Sequence, residues 1–482
     1  MNRRNYAPHL ALAGSLILLA AVAGQLSRWE WKSYDDDDDV IIKREVALKR
    51  EAPAATAGPS GVLEQDAPEV LVRFRPGTSR ERIEQLAAGM NDRVEDEIES
   101  VEGLYGVDDE DDRPAAEVAA QYSALAEVEY AEANEVISLD PVERGSSIRD
   151  QFLPSLDGGP NDPLLAEQWG LVNTGQREGT QGADIGALGA WSKSRGSDDV
   201  VVAVLDSGVD YRHEDLQANM WHRPDYLDLY VDDELGTIDD YDGFSAVDSD
   251  RDPMDENGHG THCAGIVGAE GDNLLGITGV NWQVRIMPLK FMGKGGFGTT
   301  KDAIEAINYV IQRKRDGVNV RVISASWGSR QRSKALEDVI RRAGEEGILF
   351  VAAAGNDGAN ADRQPHYPSS YKLPNVLSVA ALDRRDRLAS FSNYGSKNVH
   401  VAAPGKEILS TWPGNAYQEH SGTSMATPFV SGVAALVLSR EPNLSVRELR
   451  DRLTDTADKL DALQGKVSSG GRVNAARALG AR

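Results

Sequence analysis

The stretch Val200–Asp206, VVVAVLD, is a continuous apolar run that ends in a carboxylate. Four further apolar stretches follow it: VRIMPLKF, VRVISASWG, ILFVAAAGN and VLSVAAL. Segments with helical patterns separate them. Runs of this length are typical of strands that helices bury on both faces of a parallel sheet. From Asp162 onward the sequence therefore predicts an α/β fold with a doubly wound, mostly parallel sheet flanked by helices.

The first 26 residues have the pattern of a secretory signal peptide. Two arginines precede an apolar run over residues 10–24, and small residues close that run. An uncleaved membrane anchor and a twin-arginine signal are the alternatives. We expect a secreted or periplasmic protein, which contacts a membrane only if this segment is retained.

Acidic residues are concentrated in two parts of a chain whose formal net charge is −26. Residues 33–140 carry 29 acidic and 10 basic side chains, and residues 232–256 carry 11 acidic side chains and one basic. No basic patch stands out, which argues against a nucleic-acid partner. Cys263 is the only cysteine, so an internal disulfide is excluded.

The region before the large domain divides into three parts. Residues 27–65 are predicted to be an acidic, disordered linker. Alternating residues in EVLVRFRPG and a helical pattern after Ser79 indicate a small α+β unit over residues 66–139. Residues 140–161 read as a second linker, and the large domain spans residues 162–482.

Four polar residues occupy places where a doubly wound sheet forms its sites. Asp206 follows the first strand, His259 lies between two glycines, Asn356 ends another strand, and Ser424 opens a long apolar helix. Each also has a purely structural interpretation, such as a turn or a helix cap. His262 is the competing histidine, and we interpret it as a packed side chain.

The order and local sequences of these residues resemble those of the subtilisin-like serine proteases, the subtilases. The motifs that carry the resemblance are VAVLDSGVDYRHEDL, NGHGTHCAGIVGA, SASWGS, AAAGND and SGTSMATPFVSGVAAL, and they cover about residues 162–482. The resemblance implies a serine endopeptidase in which Ser424 is the nucleophile, His259 the base and Asp206 its orienting acid. The Asn356 side chain and the Ser424 N–H would bind the oxyanion. No G-x-S-x-G motif surrounds Ser424, which argues against an α/β-hydrolase.

The same resemblance predicts how a polypeptide substrate binds. Two extended segments, SASWG and GKGGFG, would flank the substrate and bind it by strand addition, which implies broad specificity. His366 would lie at the base of the main specificity pocket. The substrate-binding residues predicted in this way are Gly295, Gly296, Ser326, Trp327, Gly328, Ala354, Gly355 and His366.

Calcium is the predicted cofactor, as a structural ion. The acidic loop lacks an EF-hand pattern but offers hard oxygen ligands in Asp239, Asp242, Asp248 and Asp250. A merely solvated acidic loop is the alternative. By resemblance, a second site would use Asp162, Asp215 and Asn273.

The motif HGTHC resembles the thiol-containing branch of the subtilases, which includes proteinase K. In this interpretation the Cys263 sulfur packs beneath His259 as a small apolar group and is not the nucleophile.

The unit over residues 66–139 resembles the inhibitory, ferredoxin-like propeptides of subtilases, through LVRFRPG, GLYGV and VEYAEANEVI. We therefore expect a monomeric zymogen, inhibited by its own propeptide and cut by itself between about Ile137 and Asp162. The alternatives are a catalytically inactive binding protein with the same fold and an esterase or amidase of small substrates.

Overall fold

The computed structural model describes residues 70–147, 159–232, 235–247 and 251–480. The predicted signal or anchor segment and the acidic linker lie outside these residues. In the described residues no helix is both long and apolar enough to cross a membrane. The strands are β1 Val70–Phe74, β2 Asp92–Glu97, β3 Leu104–Asp109, β4 Val128–Ala133, β5 Val136–Ser138, β6 Glu143–Ser147, β7 Gly196–Asp206, β8 Tyr230–Asp232, β9 Gly236–Ile238, β10 Phe244–Ser245, β11 Gln283–Lys290, β12 Phe297–Thr299, β13 Val320–Ala325, β14 Leu349–Ala353, β15 Val376–Leu382, β16 Val401–Pro404, β17 Ile408–Trp412, β18 Ala416–Ser421, β19 Asp458–Lys459 and β20 Gly471–Arg472.

The α-helices alternate with these strands and cover the sheet. They are α1 Arg80–Gly89, α2 Ala115–Ser123, α3 Ala187–Trp191, α4 His259–Gly268, α5 Thr300–Arg315, α6 Lys334–Glu345, α7 Thr423–Leu438, α8 Val446–Asp455 and α9 Ala475–Ala478. Several helices begin directly after a polar side chain that accepts a hydrogen bond from a backbone N–H of the first turn. Thr299, for example, forms a reciprocal capping box with Asp302 at the start of α5.

The large sheet confirms the predicted doubly wound α/β fold. Its strand order is β10-β11-β7-β13-β14-β15-β16-β20-β19, and every neighbouring pair is parallel except β19 with β20. The apolar run Val200–Asp206 is the C-terminal part of β7. Val200, Val202 and Val204 face a core shared with α4 and α7, whereas the alternate residues face α5 and α6. Burial on both faces therefore explains why residues 200–205 of this strand are all apolar.

The small unit has the order β1-α1-β2-β3-α2-β4. Its sheet is antiparallel with the strand order β2-β3-β1-β4, which is the ferredoxin-like arrangement. Ser79 caps α1, as its position in the sequence suggested, by accepting from the Arg82 N–H. One face of the sheet packs against α1 and α2. Leu71, on the other face, belongs to the core that also contains residues of α5 and α6.

Candidate active site

The contact between Asp206 and His259 joins the end of β7 to the start of α4. Asp206 Oδ1 lies 2.7 Å from His259 Nδ1, and both side chains are buried. The close approach requires Gly260, because a β-carbon there would lie 2.0 Å from the Gly208 carbonyl oxygen. Burial alone would lower the pKa of His259, but the Asp206 carboxylate, together with Asp255 and Asp140, raises the pKa above its ordinary value. The pair has the geometry of a base held by a carboxylate.

Ser424 is the second residue of α7, so its N–H lies among the first-turn donors that have no acceptor within the helix. Its hydroxyl donates to the Ser326 carbonyl at 3.0 Å. His259 Nε2 makes no hydrogen bond with any described residue. The expected Ser424–His259 hydrogen bond is therefore not formed. A serine hydroxyl turns about a single torsion, and catalytic hydrogen bonds often tighten only when substrate is bound.

The Ser424 carbonyl is held by groups outside its own helix. In a regular helix this carbonyl would accept from residue 428, but Pro428 has no N–H. The hydroxyl of Ser326 donates to it at 2.8 Å, and the Cys263 thiol donates at 3.5 Å. The proline thus frees an acceptor through which two neighbouring elements fix the first turn of α7.

The Asn356 side chain is oriented by Thr423. Its Oδ1 accepts from the Thr423 N–H at 2.8 Å and from the Thr423 hydroxyl at 2.9 Å. Its Nδ2 is buried and makes no hydrogen bond with a described residue. An amide anchored through its oxygen presents its nitrogen as a fixed donor, which is what an oxyanion site requires.

The predicted substrate-binding segments lie beside these residues. Gly295 and Gly296 precede β12, and β12 pairs antiparallel with β5 of the small unit. Ser326 and Gly328 follow β13, and Ala354 and Gly355 follow β14.

Two predicted substrate residues, Trp327 and His366, are buried, with different consequences. The Trp327 indole packs 4.7 Å from the Phe291 ring and donates to the Leu205 carbonyl at 2.9 Å. The Trp327 side chain thus belongs to the core, and its place in a segment that binds substrate through the backbone stays a prediction. The His366 ring lies against the α-carbons of Gly328 and Gly355.

Asp162, Asp215 and Asn273, the residues of the second predicted metal site, lie in one hydrogen-bonded cluster. Asp162 accepts from the backbone N–H groups of Asp272 and Asn273, and Asn273 Nδ2 donates to Asp215 Oδ1 at 2.8 Å. Burial raises the pKa of Asp162 to about 6 and that of Asp215 to about 7. Carboxylate and amide oxygens are ligands that suit calcium, and the calcium site at these residues stays a prediction.

In the described part of the acidic loop, the predicted calcium ligands Asp239 and Asp242 pair with different basic residues. Asp242 pairs with His222 at 2.8 Å, and Asp239 lies 3.5 Å from Arg223. Neither aspartate belongs to a described group of three acidic, histidine or cysteine ligands. Asp248 and Asp250 lie outside the described residues, so the calcium site in this loop stays a prediction.

His262 and Cys263 are packed side chains. His262 Nε2 lies 3.1 Å from the Ile408 carbonyl oxygen and 3.0 Å from that of Gln418, and burial lowers the pKa of His262 well below its ordinary value. Burial raises the pKa of the Cys263 thiol well above its ordinary value. The Asp206, His259 and Cys263 ligand atoms lie within 4.8 Å of one another. We interpret Asp206 and His259 as the predicted catalytic pair and Cys263 as a small side chain packed beside them.

A family model described as the subtilase family (Peptidase_S8) matches residues 197–474, more than half of the chain. The chain belongs to the subtilase family. This subtilase is 39% identical over 290 residues to the thermophilic serine proteinase of Bacillus sp. (strain AK1), covering 60% of this chain and 64% of that protein.

Two further relatives support the same assignment. Thermitase of Thermoactinomyces vulgaris is 36% identical over 320 residues, covering 66% of this chain and 99% of thermitase. The halolysin-like extracellular serine protease Nep of Natrialba magadii is 35% identical over 324 residues, covering 66% of this chain and 52% of that protein. This subtilase therefore spans less than two thirds of the length of the Bacillus and Natrialba relatives.

Asp255 is a buried residue of this subtilase that the sequence analysis missed. Its Oδ1 accepts from the Ser207 hydroxyl and the N–H groups of Asn257 and Gly258, at 2.8 to 3.0 Å. Its Oδ2 accepts from the N–H and hydroxyl of Thr261 at 2.9 and 2.6 Å. Asp255 thereby ties the β7 end to the first turn of α4, which carries His259. A carboxylate four residues before a glycine-flanked histidine was the available signal.

Proposed function

We propose that this subtilase is a serine endopeptidase in which Ser424 is the nucleophile, His259 the general base and Asp206 the group that orients the base. The observation that carries the proposal is the 2.7 Å contact between Asp206 Oδ1 and His259 Nδ1. That contact fixes the imidazole, and Nε2 is left without a hydrogen-bond partner among the described residues. A base held in this way can accept a proton from a hydroxyl that turns toward it.

In the proposed reaction, His259 Nε2 removes the proton from Ser424 Oγ while Oγ attacks the scissile carbonyl carbon. The Asp206 carboxylate stabilises the resulting imidazolium. Asn356 Nδ2 and the Ser424 N–H donate to the oxyanion. The imidazolium then gives its proton to the leaving amine, and water hydrolyses the acyl-enzyme by the same steps.

We propose further that residues 66–139 form an inhibitory propeptide. Its last strand, β5, pairs with β12 in the segment expected to bind substrate, and the Leu139 N–H continues the pairing to the Gly296 carbonyl at 2.9 Å. Glu132 accepts from the N–H groups of Lys334 and Ala335, the first turn of α6. A carboxylate at a helix N-terminus is stabilised by the exposed N–H groups and the helix dipole. The unit is therefore supported both at the cleft and at a helix end.

Calcium and secretion complete the proposal. Asp162, Asp215 and the loop of Asn273 would hold a calcium ion that stabilises the fold and takes no part in the chemistry. Secretion is supported by the similarity to the extracellular protease of Natrialba magadii.

The test compares the purified full chain with variants of single residues. Wild-type protein is expected to separate into two fragments and to react with a fluorophosphonate probe. Ser424→Ala is expected to remain one folded chain without label. His259→Ala should abolish peptide cleavage, whereas His262→Ala, the matched control in the same helix, should retain measurable activity.

Two results would contradict the proposal. One is efficient processing of purified Ser424→Ala with no other protease present, which would show that the protein does not cleave itself through Ser424. The other is the reverse ranking of the two histidine variants in folded proteins, which would remove the assignment of the base.

A further inference from the structure

The His366 ring forms one end of a narrow space between the segments after β13 and β14. A β-carbon at Gly328 would lie 2.2 Å from His366 Cε1, and one at Gly355 would lie 2.9 Å from His366 Cδ2. Two backbone hydrogen bonds of 2.7 Å between Ser329 and Tyr367 hold the His366 segment against the Gly328 segment. The imidazole is therefore fixed in place by glycines that leave it room.

Both ring nitrogens of His366 lack a hydrogen bond within the described residues, although the side chain is only 3% exposed. Buried polar groups in proteins almost always have partners. An imidazole carries at least one N–H donor in every protonation state. We therefore expect a hydrogen-bond acceptor to reach the His366 ring from the side of the space that Gly328 and Gly355 do not close.

In this structure the group that faces His366 is a carboxylate from the same chain. Asp140 Oδ2 lies 3.5 Å from His366 Nε2, and the Asp140 side chain is 17% exposed. Asp140 directly follows Leu139, whose N–H donates to Gly296. Val142 lies at the N-terminus of α7, where a β-carbon on Gly422 would be 3.1 Å from Val142 Cγ1. The chain thus crosses the candidate catalytic residues with the Asp140 side chain in the pocket.

We propose that His366 makes this pocket selective for an acidic side chain, so that the enzyme prefers aspartate or glutamate on the acyl side of the scissile bond. The proposal rests on the proposed endopeptidase function and names its substrate class. A carboxylate accepts a hydrogen bond from the imidazole and gains a charge-assisted one when the ring is protonated. An apolar side chain leaves the buried nitrogens of His366 without a partner.

The charged residues next to the pocket do not oppose the binding of an acidic substrate side chain. Asp357, which directly follows Asn356, is an acidic residue that would repel a carboxylate. It is paired with Arg330 at 3.0 Å. Its charge is therefore compensated before a substrate arrives.

The experiment measures kcat/KM of the processed protein for peptide p-nitroanilides that differ only in the acyl-side residue: glutamate, glutamine, aspartate, asparagine, alanine and phenylalanine. We expect glutamate to exceed glutamine by about tenfold or more, because a hydrogen bond to a charged group is worth more than one to a neutral group. His366→Gly should reduce that ratio to near one and favour phenylalanine. His366→Leu keeps much of the bulk of the side chain but has no hydrogen-bond donor, so it should also lose the preference, which covers the case in which the glycine variant fails to fold.

The outcomes separate this inference from the proposed function. Labelling by the fluorophosphonate probe together with cleavage of glutamine or phenylalanine peptides as fast as glutamate peptides would overturn the acidic preference alone. A clear preference for alanine would do the same, because His366 would then only shorten the pocket. No labelling and no cleavage of any peptide would overturn both.

Discussion

Replacing Asp255 with asparagine tests whether this carboxylate positions His259 as well as stabilising the fold. The side chain accepts five hydrogen bonds, three at Oδ1 and two at Oδ2. An asparagine has one acceptor oxygen. In its better orientation that oxygen keeps the three donors at Oδ1, and its NH₂ group faces the Thr261 N–H.

The Thr261 hydroxyl can turn and accept from that NH₂ group, so the magnitude follows from the one mismatch that remains, at the Thr261 N–H. Burial raises the pKa of Asp255, so the negative charge itself is not the main source of stability. A buried N–H left without an acceptor costs about 1–3 kcal/mol. We therefore expect Asp255→Asn to destabilise the processed protein by about 2 kcal/mol, which corresponds to roughly a 30-fold change in the unfolding equilibrium.

The same substitution should alter the pH profile in one direction. The Asp206 carboxylate is the main charge that raises the pKa of His259, and the Asp255 charge adds to it. A general base must be neutral to accept a proton, so kcat/KM falls as pH drops through the pKa of His259. Removing the Asp255 charge lowers this pKa and moves the acidic limb to lower pH. A purely structural residue would leave the limb in place.

The assay combines equilibrium urea unfolding of protein blocked with a fluorophosphonate, followed by tryptophan fluorescence, with kcat/KM from pH 5 to 9 for the unblocked protein. Glu256→Gln is the matched control, because it removes the same charge from the next residue, whose side chain is exposed and lies 3.6 Å from Lys290. The control should change neither readout. An acidic limb that stays in place or moves to higher pH in folded Asp255→Asn would refute the reasoning.

The remaining predictions concern the thiol and the calcium site. Mercurials are expected to inhibit the enzyme by placing a heavy atom beneath His259, whereas Cys263→Ala should stay active and become resistant, because the Ser326 hydroxyl still holds the Ser424 carbonyl. Complete loss of activity in folded Cys263→Ala would contradict this. Chelation by EDTA should lower Tm more at pH 8 than at pH 5, as measured by calorimetry. The folded-state pKa values of about 6 for Asp162 and about 7 for Asp215 lie above that of an unfolded aspartate. Without a cation, stability is therefore lost as pH rises from roughly 4 to 7, and calcium restores it. Equal Tm shifts at both pH values, or none, would be evidence against the site.

The sequence predicted the sheet because burial on both faces leaves a local signature. The second half of β7 is a continuous apolar run and its parallel neighbours are mostly apolar, and that pattern needs no knowledge of distant residues. The residues that form the site were identifiable for a different reason. Each follows a strand or opens a helix, and in a doubly wound sheet those ends meet at one edge.

The contacts that the sequence could not predict join residues far apart in the chain. The hydrogen bond from Ser326 to the Ser424 carbonyl crosses 98 residues, and it exists because Pro428 leaves that carbonyl free. Trp327 was expected in a segment that binds substrate through its backbone, which does not say where the side chain points. Only the packing against Phe291, from another strand end, decides that its side chain points into the core.

Several carboxylates of the small unit contact the large domain. Asp96 pairs with Lys301, in the first turn of α5, at 3.0 Å, and both side chains are buried. Glu132 accepts from the first turn of α6. Asp140 faces His366 in the pocket. Acidic groups of one unit thus meet positive groups or helix N-termini of the other at separate points, which favours one docking orientation. The last of these contacts uses the selectivity proposed for substrates, so the pocket that chooses an acidic side chain would be held, before processing, by the chain's own aspartate.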